Sequence, residues 1–284
     1  MKVAHHAEIQ YDSWPGIRGE NALHRTLLQG NKNTPLNFEY GIVTFKNDGN
    51  GSPRHKHVFD QFRYAIEGEI EYDPGKTIPQ GCLAYFPEGV DYGPFKIHPR
   101  TVFLSCQFGG PSGQGFVHRQ DLGAAREELA KEGSFEFGQD KGVYVWTDKD
   151  GKKHTEDSHK AVWQRATGAK EVHMPAPRYD VPILIYPEAY RWVDIAPKVA
   201  EKTLGVFNER NTYAKMIRVE KGGTWTRKAE GQKTLNFVTE GALTLDGGEV
   251  CQKHDAFQCE PDETVKVTAL ADATLLIYGM PRFN

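Results

Sequence analysis

His55 and His57 stand two residues apart in the run Arg54-His55-Lys56-His57. On a strand that spacing puts both imidazoles on one face. Two imidazoles on one face make a natural metal chelate. Gln61, four residues on, returns across a tight bend beside them. Arg63 shares the face of Gln61 by the same period of two, and an inward guanidinium is a ready fork for a substrate carboxylate. On residues alone the alternatives are a polar strand edge for the histidine run and an ion pair with Glu67 or Asp60 for Arg63. The remaining histidines are scattered. His5 and His6 are adjacent, in a terminus expected to be mobile.

Something must hold those side chains in place, and the chain is punctuated for strands. Its 29 glycines and 16 prolines cut it into short pieces. Strand-length segments between them include Phe38–Phe45, Phe62–Ile66, Cys82–Phe86, Val102–Cys106, Tyr213–Val219, Leu235–Val238, Ala242–Leu245 and Ala273–Tyr278. Many short strands with frequent turns predict an all-β sandwich or barrel. Phe59, Phe62, Tyr85 and Phe86 read as barrel walls. Helix is expected in two places. One is after Asp121 as N-cap, stopped at Gly133, and the other is a short helix from Pro197 to Gly205. Residues 133–204 read as a polar connector, with a hairpin at Asp150-Gly151 after Val143–Trp146. A solvated connector is preferred there over a lid across a pocket.

Composition bounds the rest. At 284 residues and about 150 per domain, the length suits one large or two modest domains. With 35 Lys and Arg against 38 Asp and Glu, the net charge of −3 argues against a nucleic-acid partner. No apolar run is long enough for a membrane span. The N-terminus lacks an apolar signal core, so a cytoplasmic location is expected. The four cysteines, Cys82, Cys106, Cys251 and Cys259, show no CxxC pairing and read as reduced small hydrophobes. Phosphate-loop, dinucleotide-loop and nucleophile-elbow patterns do not hold up.

The chain repeats itself. Gly49-x5-His55-x-His57-x3-Gln61-x6-Gly68 returns 173 residues on as Gly222-x5-Lys228-x-Glu230-x3-Thr234-x6-Gly241. Gly81-x5-Pro87 is matched by Asp255-x5-Pro261. The division is therefore 1–132, a barrel with flanking arm and helix; 133–204, the connector; and 205–284, a second barrel.

This glycine frame resembles the cupin superfamily in its two-domain, bicupin form. Gly49 to Gly68 matches the family's first motif, with Gln61 where Glu is usual. Gly81-x5-Pro87-x-Gly89 matches the second, with Tyr92 in the place of His and Lys96 in the place of Asn. The resemblance covers residues 35–110 and 205–282. It implies two double-stranded β-helix, jelly-roll barrels with a metal in the mouth of the first. The implied ligands are His55, His57, Gln61 and Tyr92, and His98 is the substitute for Tyr92. The implied ion is one divalent or trivalent transition metal per chain, iron ahead of copper, manganese, nickel and zinc. Trading Glu for Gln and His for a phenolate would keep one negative charge on the set. In the second barrel Lys228, Glu230, Thr234 and Lys266 hold the four places. Inward lysines there would repel an ion, and Glu230 would pair with one of them.

Superfamily membership does not supply a reaction. The leading expectation is a dioxygenase-type oxidoreductase acting on a small organic acid or enol-capable substrate, with Arg63 and Tyr92 catalytic. Isomerase or lyase chemistry comes next, and the other class is non-catalytic binding of a sugar or carboxylate. The expected partners are the small-molecule substrate and a second copy of the chain, as a homodimer, since cupins often pair barrels edge to edge.

Overall fold

The structure, a computed structural model, describes residues 1–283 apart from 15, 18–21, 33, 46–48, 98–99, 139–140 and 247. It is all-β, with two compact units. One comprises residues 11–24 and 30–184, and the other residues 1–10, 25–29 and 185–284.

The first barrel is a seven-stranded sheet facing a four-stranded one. The large sheet runs in the order Ile183–Ile185, Leu83–Phe86, Phe59–Glu67, Val102–Gly109, Phe38–Phe45, Ala22–Gln29, Asp12–Trp14. The second barrel repeats that order as Lys2–Ala4, Ala256–Cys259, Thr234–Glu240, Ala273–Gly279, Tyr213–Val219, Val199–Val206, Val193–Ala196. The repeat read in the sequence is thus a repeat of topology, and both units are jelly rolls. Gly68 and Gly241, the equivalent closing glycines, both lie in the left-handed region, at φ 68° and 76°. A side chain there is strained.

The two barrels differ inside. The second is filled by apolar side chains, among them Trp225, Val238, Phe257, Val267 and Leu275. Lys228 and Lys266 do not face inward but lie exposed at its surface. Glu230 pairs with neither: it accepts hydrogen bonds from the Tyr213 hydroxyl and from Lys215 Nζ at 3.2 Å. Thr234 is buried. Apolar filling, rather than repulsion between lysines, is what distinguishes this interior.

Residues 133–184 are built structure packed within the first unit. A three-stranded sheet (Gly133–Gly138, Lys141–Thr147, Lys153–Asp157) lies between α1 (Arg119–Leu129) and α2 (Ser158–Thr167). The hairpin expected at Asp150-Gly151 joins the last two strands. The α1 helix starts two residues before Asp121, with His118 at its cap, and Gly133 opens a strand instead of stopping the helix. The α2 helix went unread in the sequence. Its signals were present: the Asp157 side chain accepts from the Lys160 N–H at 2.9 Å, and Gly168 closes the helix at φ 70°. Leu122, Ala125, Val162 and Trp163 from the two helices share one core with Val58 and Phe59 of the barrel.

No helix forms from Pro197 to Gly205. Lys198 sits at φ 63° in a turn, and Val199–Val206 pairs back on Val193–Ala196. His5 and His6 are not loose either. Lys2–Ala4 pairs with Ala256–Cys259, and both imidazoles hydrogen-bond to Asp255. All four cysteines are buried and free. No helix among the described residues is long and apolar enough to cross a membrane.

The two closing glycines give a comparison. A Cβ on Gly241 would run into the Asp272 carbonyl oxygen, whereas one on Gly68 would meet its nearest atom at 3.3 Å. Gly68→Ala is expected to destabilise by about 1–2 kcal/mol from backbone strain alone. Gly241→Ala should lose clearly more, read as a lower urea midpoint for the second variant.

Candidate functional site

The site is set by strand register. Phe59–Glu67 pairs with Val102–Gly109 so that Gln61 faces Gln107 and Arg63 faces Ser105. The next pairing sets Gln107 beside Glu39, Ser105 beside Gly41 and Phe103 beside Val43. Side chains alternate across a sheet. The odd-numbered residues of these strands therefore share the concave face, and Gly41 contributes no side chain to it. On the other side of the mouth, His55 and Tyr92 exchange both backbone hydrogen bonds, at 3.0 and 3.1 Å.

Four of the five expected residues meet in one hydrogen-bonded cluster. Arg63 Nη2 donates to Gln61 Oε1 and to the Tyr92 hydroxyl, each at 3.1 Å. Gln61 Nε2 donates to the same hydroxyl at 3.1 Å, and Gln107 Nε2 donates to Gln61 Oε1 at 3.0 Å. His55 Nδ1 lies 2.6 Å from the Pro53 carbonyl, which can only accept, so Nδ1 carries the proton. His55 Nε2, 2.9 Å from the Tyr92 hydroxyl, therefore accepts the phenol proton. His57 adjoins the cluster with its ring 4.8 Å from that of His55 and 6.1 Å from that of Tyr92, centre to centre. His98 lies outside the described residues.

Arg63 pairs with neither Glu67 nor Asp60. Its guanidinium carbon sits 4.9 Å from the ring centres of Phe86 and Phe95, 5.3 Å from Tyr92 and 5.8 Å from Phe103. Such cation–π contacts stabilise a buried guanidinium. Arg63 is only 9% exposed, and its Nε and Nη1 have no hydrogen-bond partner.

These residues edge a cavity of about 140 Å³. Arg63, His55 and His57 line one side, and Phe45, Phe95 and Phe103 give it apolar walls. Tyr92 and Gln61, each 1% exposed, stand behind that lining and hold it in position. The two helices and the sheet that joins them cap this barrel, and the helices supply residues that strand reading missed. His159 on α2 lines the cavity with its ring 4.8 Å from that of His57. Arg119 on α1 donates from Nε at 3.1 Å to Glu39, whose carboxylate also accepts the Arg119 backbone N–H at 3.2 Å. His24 lines the cavity too. Burial, with Arg119 nearby, pushes its pKa down to about 3, so the imidazole is neutral there. Gln107 and Ser105 follow from extending the Val102–Cys106 strand by its own alternation. Nothing local in sequence ties His24 or His159 to the pocket.

Behind the sheet, Phe62 and Tyr85 pack on the other face. The Tyr85 hydroxyl donates to Asp60 at 2.5 Å rather than to the pocket, and the Glu88 N–H donates to the same carboxyl at 2.8 Å. Glu88, between the motif residues Pro87 and Gly89, accepts from the Ser112 N–H and hydroxyl at 2.8 and 2.6 Å and from Arg178 at 2.7 Å. This buried pair of carboxyls braces the strand that carries Gln61 and Arg63.

A metal among the four motif side chains needs their lone pairs turned to one point. Arginine offers only donors, so Gln61 must turn its oxygen to Arg63 and its N–H groups to Tyr92. The Tyr92 oxygen accepts two hydrogen bonds, and His55 Nε2 accepts a third. A dication here would also lie against a guanidinium, and no carboxylate among the described residues pairs with Arg63. The donor set, so arranged, does not fit a resident metal. Among the described residues no group of three or more His, Cys, Asp or Glu side chains is placed to hold one.

No family model and no curated protein matches the chain in sequence. Solved structures match it in shape. A candidate dioxygenase from Nostoc punctiforme aligns at TM-score 0.63 and 10% identity, covering 99% of this chain and 82% of that one. Oxalate decarboxylase from Bacillus subtilis, with Mn(II) centres, aligns at TM-score 0.54 and 12% identity over 100% and 78%. A variant of salicylate 1,2-dioxygenase from Pseudoaminobacter salicylatoxidans, in complex with gentisate, aligns at 0.52 and 17% over 91% and 74%. The chain therefore has the fold of two-barrel cupins, a fold in which metal-dependent enzymes occur.

The Asp60 carboxyl yields a pH prediction. Burial pushes its pKa from 3.8 up to about 7, against the hydrogen bonds from Tyr85 and Glu88. The folded chain keeps this proton where the unfolded chain has released it. Its contribution to stability is thus full below about pH 4 and lost as pH rises through 7. Asp60→Asn removes that dependence. Relative to the unsubstituted protein, the variant should gain on the order of 3 kcal/mol between pH 4 and pH 8, measured by urea unfolding at each pH.

Proposed function

We propose that this two-barrel cupin binds a small organic acid in its first barrel and works on it there, while the second barrel is structural. One observation carries the reading: the buried guanidinium of Arg63, which lines a mostly apolar cavity, has three N–H bonds without a partner. A buried donor left unmade costs about 1–3 kcal/mol, and an unpaired buried charge costs more. A carboxylate oxygen offsets both with a charge-assisted hydrogen bond. The volume suits one ring or a short branched chain, since an apolar cavity of about 150 Å³ takes a benzene.

The chemistry beside the bound acid is proton transfer. His57 and His159 are cavity-lining imidazoles, the side chain best matched to general acid–base work near neutral pH. They suit removal of a proton from carbon next to the carboxylate and its return elsewhere, the chemistry of an isomerase or lyase. Tyr92 acts as a positioning residue, fixing His55 and Arg63 from behind. The second reading is a metal-dependent oxidoreductase of dioxygenase type. The position of His57, with its ring 4.8 Å from those of both His55 and His159, favours it, and it requires Gln61 to turn its oxygen toward them.

Thermal melts with a panel of small carboxylates test the binding. A true ligand at a hundredfold excess over its Kd adds about 2.7 kcal/mol, which raises Tm by roughly 5 °C in a chain of this size. Arg63→Met should abolish the shift. Uptake of solvent deuterium into the bound acid supports proton transfer, oxygen consumption supports the second reading, and neither leaves a binding protein.

A further inference from the structure

We propose that Arg63 takes the place of the metal ion: the fixed cation of this pocket is a side chain, and its ligand is a small monocarboxylate. The inference rests on the organic-acid reading above and concerns what supplies the positive charge.

The guanidinium lies within the motif constellation itself. Nη2 is 3.1 Å from atoms of two of the four motif side chains. Each of those side chains is turned to suit it. Gln61 shows it an oxygen, and Gln107 holds that oxygen in the same direction. Tyr92 donates its O–H to His55 and offers Arg63 a lone pair. A carboxylate at position 61 would pair with the guanidinium and leave less charge for a ligand. The amide orients Arg63 without neutralising it.

The surroundings leave that charge for a guest. Four aromatic rings surround the guanidinium, and none of them carries a counter-charge. Among the described residues no carboxylate lies within ion-pair distance of Arg63. Glu39, the acid lining the same cavity, is engaged by Arg119. His24, neutral in the cavity wall, adds no second cation. Among the described lining residues, Arg63 is therefore a permanently ionised group with no acid partner, and one carboxylate matches it.

The test uses the full chain as purified, with benzoate as the acid probe and benzamide as its uncharged counterpart. Elemental analysis should give well under 0.1 transition-metal ion per chain. Calorimetry should show benzoate binding unchanged by EDTA and benzamide binding at least tenfold weaker. Arg63→Met should weaken benzoate at least a hundredfold. Gln61→Glu, which keeps the size of the side chain, should weaken it about tenfold and recruit no metal. About one iron or manganese per chain, or benzoate binding that EDTA abolishes and the metal restores, overturns the inference while leaving the acid site standing. Folded protein that binds benzoate no better than benzamide overturns the acid site and the inference together.

Discussion

An arginine has no lone pair to offer, and that constraint arranges the mouth of the first barrel. Once Arg63 lies between Gln61 and Tyr92, the amide can face only one way. The phenol must then accept from both neighbours and donate its O–H to His55 Nε2, while the other nitrogen of His55 is committed to the Pro53 carbonyl. Three side chains from three stretches of chain are fixed by one donor-only group. Networks of this kind, once fully satisfied, rigidify a core and specify one arrangement. What stays unsatisfied is on the guanidinium itself.

The duplication shows how the same strands produce different interiors. Both sheets keep the same strand order, and both turn at an equivalent left-handed glycine. In the second barrel the inward positions are filled by Val, Leu, Phe and Trp side chains that pack against each other. In the first, a glycine at 41 and polar residues at 61, 63, 105 and 107 keep part of the space open. A fold that encloses itself needs a filled core for stability. Here one copy supplies that core in full, and the other gives part of it to the pocket.

The barrels were legible in the sequence because strand signals and glycine spacing are local and repeat. Phe38–Phe45, Tyr213–Val219 and Ala242–Leu245 form over the residues expected. The shared face of Gln61 and Arg63 followed from a period of two. The cap was less legible. Its helix after Asp157 is only ten residues long, and what holds it is tertiary contact with Val58 and Phe59. Residues 197–205 failed differently, because a proline that suits a first helical turn equally suits the turn of a hairpin. Chemical roles were the hardest to read. Identity and spacing placed the histidines together, but the direction of Gln61 depends on a neighbour's hydrogen-bonding habit that no spacing encodes.

The cap has one more effect, on time scales. Its helices share a single apolar core with the strand beneath them, so the helices themselves cannot swing aside as a hinged loop does. Passage beneath the helices must await their brief loosening, a rarer event than the flicker of a surface loop. A guest that used that route would exchange slowly, its residence paced by the breathing of the protein rather than by the strength of its own contacts.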